Sequence, residues 1–287
     1  MKNKYLKQEK HHNKILGRKY PWDNADSVDS WRHKRMHQLI NPFLEKKGKK
    51  WLTVGDGGFG REAHYIEKMG GDAVASDIAA KPLIIAKKRR YIKKYKKVNA
   101  EKMPFKNGSF NYVLCKESYH HFPRPIISLY EMIRVSRDAS ILIEPNDVMK
   151  RKISLKNFLS IENINNYIDR FEISGNYVYQ ISRREMIKVA YGLELPLIAF
   201  KGIDDHYIEG VESEIFDKKG KKYKKIKFVL KILNILYKLR LRDRSILAII
   251  FFKRTPNKDV LNKLMKDNYN LHFLKNNPYS YKWLIKK

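Results

Sequence analysis

Four glycines, at positions 55, 57, 58 and 60, stand between the short apolar run Trp51 to Val54 and a helical stretch from Arg61 to Met69. A turn of this kind brings backbone close to a ligand and aims the free amides of a helix start at it. Taken alone, the glycines fit equally well a tight turn that needs positive φ. Asp77 adds a second feature. It closes the next short strand, Ala73 to Ser76, about 20 residues beyond the glycines, where a ribose-binding carboxylate belongs in a nucleotide-binding α/β fold.

A different chemistry is suggested beyond the strong apolar run Phe110 to Cys115, where Glu117, His120 and His121 follow closely. An imidazole with a pKa of about 6.5 is matched to taking a proton at neutral pH, so His120 or His121 is a candidate general base. The competing reading has one histidine packing a helix start and the other exposed. Glu117 and Glu144 are further candidates, with the alternative that either accepts backbone amides. Asp204, Asp205 and His206 could line an acceptor pocket, but they lack a recognisable metal-ligand spacing, and no metal is expected. Arg183 and Arg184 begin a helix, where cations are unfavourable, so they either grip an acidic acceptor or face solvent. Cys115, the single cysteine, reads as inert core; one cysteine excludes an internal disulfide and a multi-cysteine zinc site.

These groups must be positioned by alternating strands and helices. After the glycine turn come the strand ending at Asp77, a basic helix from about Lys81 to Lys94, and a weak strand Lys97 to Asn99. Phe110 to Cys115, a helix Ile126 to Val135 and a strand Ser140 to Glu144 follow. This alternation predicts a doubly wound, mainly parallel α/β sheet. Residues 1–49 read as a helical N-terminal arm or lid, with a helix from about Ser27 to Lys47 capped by Asp26 or Ser27. Residues 50–255 read as the core domain, with insertions at about 146–182 and 205–243, and 256–287 as a C-terminal extension. The first insertion, a candidate substrate lobe, reads as a helix over 152–171 and a short strand near Tyr177 to Ile181. A helix Arg183 to Tyr191 and a strand Leu197 to Phe200 return to the sheet. Lys218 to Lys227 reads as a linker to an apolar and basic helix, Phe228 to Leu241, and Ile246 to Phe252 as a last buried strand.

A nicotinamide or flavin dinucleotide would make the same demands on the glycines and Asp77. The run Asn99-Ala100-Glu101-Lys102-Met103-Pro104-Phe105, followed by Ser109-Phe110-Asn111-Tyr112-Val113, separates the cases. It resembles class I S-adenosylmethionine-dependent methyltransferases, in which an Asp-Ala-Glu-x-Leu-Pro-Phe turn caps the adenine and Ser-Phe-Asp-x-Val opens the fourth strand. The resemblance spans Trp51 to Glu144 and implies a Rossmann-like fold with S-adenosylmethionine as cofactor. By position it places Gly55, Asp56 and Gly57 along the methionine end, Asp77 on the ribose, and Asn99, Ala100 and Glu101 at the adenine, with Asn99 standing where the family usually has Asp. Thr53 replaces the usual acid before the glycines, and Phe59 interrupts their spacing. The strings around Cys115 to Pro125 and Ile143 to Asp147 are similar to bacterial methyltransferases associated with surface-polysaccharide gene clusters.

That resemblance implies O-methylation of a sugar or glycan precursor. A net charge of +31 keeps an RNA acceptor open, although no Asp-Pro-Pro-Tyr-like run is present. A third reading is a membrane-associated binding protein with an inactive fold, resting on the basic segment 218–241 and an anionic membrane surface. Lysine accumulated on solvated faces explains the charge equally well. Without a signal-like apolar segment or a run of about 20 apolar residues, the expected location is the cytoplasm, with the inner face of the cell membrane as a further site.

Overall fold

The computed structural model describes residues 2–13, 26–44, 48–147, 171, 177–275 and 277. Lys50–Val54 forms strand β1, and its side chains alternate between two cores: Trp51 packs on one face of the sheet, Leu52 and Val54 on the other. Burial on both faces is what permits runs of unbroken apolar residues. Strands β2 (Asp72–Asp77), β3 (Tyr95–Lys97), β4 (Phe110–Lys116) and β5 (Ser136–Pro145) join β1, followed by β6 (Leu197–Ile203), β7 (Ile246–Phe252) and β8 (Asn270–Phe273).

The sheet has the order β3-β2-β1-β4-β5-β7-β6-β8. Pairs from β3 through β5 are parallel, whereas β7 runs antiparallel to both β5 and β6, and β8 antiparallel to β6. The result is a doubly wound, Rossmann-like α/β sheet. Helices α1 (Lys2–Asn13), α2 (Val28–His37), α3 (Arg61–Lys68), α4 (Ala80–Lys88), α5 (Pro125–Val135), α6 (Arg183–Gly192), α7 (Lys221–Lys238) and α8 (Lys258–Lys266) accompany it. The switch in strand order around β1 and β4 opens a crevice at their carboxyl ends, the place where such sheets bind ligands.

Local chemistry sets several boundaries. Ser27 caps α2 by accepting the Ser30 amide at 3.1 Å, and Ser182 caps α6 by accepting that of Glu185 at 3.3 Å. The helix expected over 27–47 stops earlier: α2 ends at His37 and tightens into a 3-10 turn, Gln38–Phe43, that contains Pro42, a residue with no amide to donate. The expected linker 218–227 is another correction, because α7 already starts at Lys221. Lysine is a good helix former, and several of these lysines stand exposed around the helix. Tyr177 and Ile181 make only isolated bridges, to Phe171 and Asn146, instead of the expected strand. The helix expected over 152–171 lies outside the described residues apart from Phe171. Strand β8, within the segment read as an extension, adds an edge to the sheet.

Candidate active site

The glycine turn is shaped by what presses against it. Gly55 has φ +72°, and a Cβ there would lie 2.5 Å from the Cβ of Ser118, whose hydroxyl donates to the Gly55 carbonyl at 2.6 Å. A Cβ on Gly57 would lie 2.7 Å from Oδ2 of Asp77. The turn therefore brings two strand ends, β1 and β2, together with the loop after β4, around one narrow cleft. Asp77 is buried and fixed there by accepting the Ala79 amide at 2.7 Å. Phe59 resolves the irregular glycine spacing: it takes φ +65° itself and buries its ring in the core.

Asp56 is placed differently from the expectation. Its carboxylate turns inward, accepts the Thr53 hydroxyl at 2.7 Å and the amides of Glu62 at 3.3 Å and Ala63 at 3.0 Å, and so caps α3. Its backbone is engaged too, the amide donating to the Ser76 carbonyl at 3.0 Å and the carbonyl accepting the Gly60 amide at 3.0 Å, so Asp56 shapes the turn. Burial and the neighbouring Glu62 push its carboxyl well above the usual range. Thr53, standing where an acid is usual, supplies one of the hydrogen bonds that hold Asp56 in place.

The far wall carries Val98, Asn99 and Ala100. The Asn99 amide oxygen accepts the Glu101 amide at 2.9 Å and so shapes the turn. Glu101 lines the cleft as well, with its carboxylate accepting the Tyr5 hydroxyl at 2.6 Å and the Arg124 side chain at 2.5 Å. Through these contacts α1 lies across the cleft: Tyr5 and Gln8 line it, and Gln8 donates to the His121 carbonyl. The sequence marks the arm as a lid but gives no sign of these residues, since their partners are about a hundred positions away.

Beyond the cleft, the loop after β4 forms a 3-10 turn, Tyr119–His121. One oxygen of the buried Glu144 accepts the amides of Ser118 and Tyr119, each at 2.9 Å; the other lies 2.6 Å from Nδ1 of His120. The rings of His120 and His121 lie 3.9 Å apart. Glu117 diverges from this pair, with φ +51° and its carboxylate 2.8 Å from the Lys116 ammonium.

Residues 52–143 match the family model of a methyltransferase domain. The chain carries a class I methyltransferase domain. A SAM-dependent methyltransferase from Archaeoglobus fulgidus is 13% identical over 82% of this chain and 98% of its own, with a TM-score of 0.50. The YcgJ protein from Bacillus subtilis is 15% identical over 78% of this chain and 100% of its own, also with a TM-score of 0.50. At such identities the likeness shows the fold. The comparison with curated proteins finds no match. With the family match, the protein is an S-adenosylmethionine-dependent methyltransferase.

The lining of this methyltransferase's cleft, which encloses about 30 Å³ where α1 lies across it, suits that cofactor in chemistry. Gly57 lets the Asp77 carboxylate pack against the turn, where a side chain would collide with it, and Ile78, Val98 and Ala100 supply apolar walls for a purine. Gly55, Gly57, Asp77, Asn99 and Ala100 would hold it, Asn99 through its backbone and its remaining amide capacity.

The remaining candidates of the methyltransferase separate cleanly. Burial alone would raise the Glu117 pKa, but the Lys116 ammonium overrides it and holds the carboxyl at about 2, a very weak base. Lys116 also meets Nδ1 of His33 at 2.8 Å and Glu62 at 3.2 Å, so this cluster ties α2 to the sheet. Asp204 pairs with Arg244 at 2.5 Å and Arg242 at 3.2 Å, and Asp205 with Arg32. Among the described residues no group of three or more His, Cys, Asp or Glu is arranged to hold a metal. Arg183 lies over the Phe200 ring at 5.7 Å. Cys115 is buried, with its thiol pushed well up by burial and by Glu144.

Proposed function

We propose that this methyltransferase methylates a hydroxyl group of a sugar or glycan precursor, with His120 taking the hydroxyl proton. The contact that carries this reading is the one between Glu144 and Nδ1 of His120 at 2.6 Å. A carboxylate on Nδ1 favours the proton there and leaves the accepting lone pair on Nε2, the arrangement a general base needs. Glu144 is itself fixed by the two amides on its other oxygen, so the imidazole is oriented by a buried, immobile anion. When bound, S-adenosylmethionine supplies an electrophilic methyl group on a sulfonium, whose departure returns the bonding electron pair to sulfur. The acceptor oxygen forms the new bond to carbon, its proton passes to Nε2 of His120, and Glu144 balances the imidazolium that results.

Ser118 links this base to the cofactor cleft. Its hydroxyl holds the Gly55 carbonyl, and its amide is held by Glu144 two residues before His120 in the turn. Alignment of donor and acceptor in a water-poor site supplies the remaining catalysis expected of an in-line displacement. Support for a saccharide acceptor comes from the resemblance of the segments around Cys115 to Pro125 and Ile143 to Asp147 to methyltransferases of surface-polysaccharide clusters.

The test is incubation of the purified protein with methyl-labelled S-adenosylmethionine and a panel of nucleotide sugars, free glycans and RNA. Label entering a saccharide through an alkali-stable ether, and lost in His120→Gln, is the expected result. Label entering RNA alone, or a saccharide product formed equally by His120→Gln, would overturn the acceptor or the base assignment respectively.

A further inference from the structure

Helix α7 is rich in apolar residues yet hardly buried. Its 18 residues, KKYKKIKFVLKILNILYK, contain no acid, and Ile226 alone is fully buried. Ile226 packs with Val28 and Val211 in a small core, with Tyr223 and Leu230 partly buried beside it. The opposite side is open to solvent: Phe228 is 64% exposed, Ile232 42%, Ile235 48% and Leu239, just past the helix end, 62%.

The spacing of these four, by four, three and four residues, puts them on a single ridge of an α-helix. Lysines border the ridge. Lys224, Lys231 and Lys238 recur every seven residues along one flank, Lys225 stands on the other, and all four are exposed. Arg240 and the 59% exposed Leu241 continue the pattern beyond the helix. Beside the helix opens a cleft of about 630 Å³ lined in part by Trp31, Arg35, Lys227 and Lys231, which adds cationic groups to the same region.

An exposed apolar ridge with a row of lysines along one flank and Lys225 on the other suits a surface that is apolar inside and anionic outside. The described helices include none long and apolar enough to cross a membrane. A helix of this kind lies in the interfacial plane, with its ridge among the acyl chains and its lysines at the headgroups. We infer that α7 docks the protein on an anionic lipid bilayer through Phe228, Ile232, Ile235 and Leu239, with Lys224, Lys231 and Lys238 contacting the headgroups. The absence of acids from the helix and the protein's charge of +31 favour this occupant over an apolar protein surface. The inference is independent of which acceptor is methylated.

The experiment is co-sedimentation of the full-length protein with vesicles of phosphatidylcholine alone, and of phosphatidylcholine with 30 mol% phosphatidylglycerol. Two variants accompany the wild type: Phe228→Ser with Ile235→Ser, and Lys224→Glu with Lys231→Glu and Lys238→Glu. Their side chains are exposed, and calorimetric titration with S-adenosylmethionine checks that each keeps its fold. The expected result is binding to the anionic vesicles that both variants reduce at least about tenfold, with little binding to phosphatidylcholine alone. Equal binding by wild type and variants, or no binding to anionic vesicles, would overturn the inference. So would a dimer in sedimentation velocity that the Phe228→Ser, Ile235→Ser variant dissolves while vesicles are ignored, or tight RNA binding by the wild type without vesicle binding.

Discussion

The carboxylate of Glu144 holds Nδ1 of His120 at 2.6 Å, and its other oxygen is occupied by two backbone amides of the same turn. Such an anchor fixes both the direction and the tautomer of the ring. In a 15N spectrum of the histidines at pH 8, His120 is expected as the Nδ1–H tautomer, and Glu144→Gln is expected to erode that preference. Once the acceptor is in hand, His120→Gln should lower turnover by on the order of 10² to 10⁴ while leaving S-adenosylmethionine affinity nearly unchanged. A predominant Nε2–H tautomer, or unchanged turnover in the variant, would contradict the assignment.

Gly57→Ala should weaken cofactor binding without unfolding the domain. The added Cβ would stand 2.7 Å from Oδ2 of Asp77 and force the carboxylate off its position. Loss of a charge-assisted pair of hydrogen bonds corresponds to a roughly ten- to hundredfold rise in Kd. Gly58→Ala is the control, because a Cβ there meets nothing within 4 Å. Equal losses in both variants would mean that the turn, and not its contact with Asp77, sets the affinity.

How much of this was legible in the sequence follows from the range of the interactions. The strand-turn-helix around Gly55 to Gly60 and the buried runs Phe110 to Cys115 and Ile246 to Phe252 announce themselves, because a few neighbouring residues suffice to specify them. Asp77 was legible for the same reason. The turning of Asp56 into the α3 cap was not, since it depends on Thr53 and on amides six and seven residues away. Glu101 gives no sequence sign that it latches Tyr5 and Arg124, and Glu117 none that Lys116 and His33 claim it. The four-residue β8 has too few positions to show a period, and the lysines of α7 looked like a linker because exposure and helicity are not exclusive.

Helix α2 should make the protein acid-sensitive. Burial, reinforced by the Lys116 charge, lowers the pKa of His33 well below 6.5; burial likewise lowers that of His37. Both rings are neutral in the folded protein, so as pH falls below about 6.5 the unfolded chain gains protons that the folded chain refuses. Stability then falls by up to about 1.4 kcal/mol per pH unit for each histidine. The midpoint of thermal unfolding should drop between pH 7.5 and pH 5.5, and less so in His33→Gln with His37→Gln. A flat or rising midpoint in the wild type would refute this.

The lid contacts predict a kinetic effect. Tyr5 and Gln8 line the cleft and are tied to Glu101 and the His121 carbonyl. Removing residues 1–13 should therefore speed release of the demethylated cofactor several-fold, by analogy with lids that gate product release. Stopped-flow displacement measures it; an unchanged release rate would mean that α1 does not gate the cleft.

Calorimetric titration of the wild type and of Asp77→Ala with S-adenosylmethionine decides whether the cleft between the glycine turn and Asp77 is the cofactor site. Micromolar binding by the wild type and at least about tenfold weaker binding by the folded variant are expected. Equal affinity in the two, or no binding by the folded wild type, would contradict that assignment.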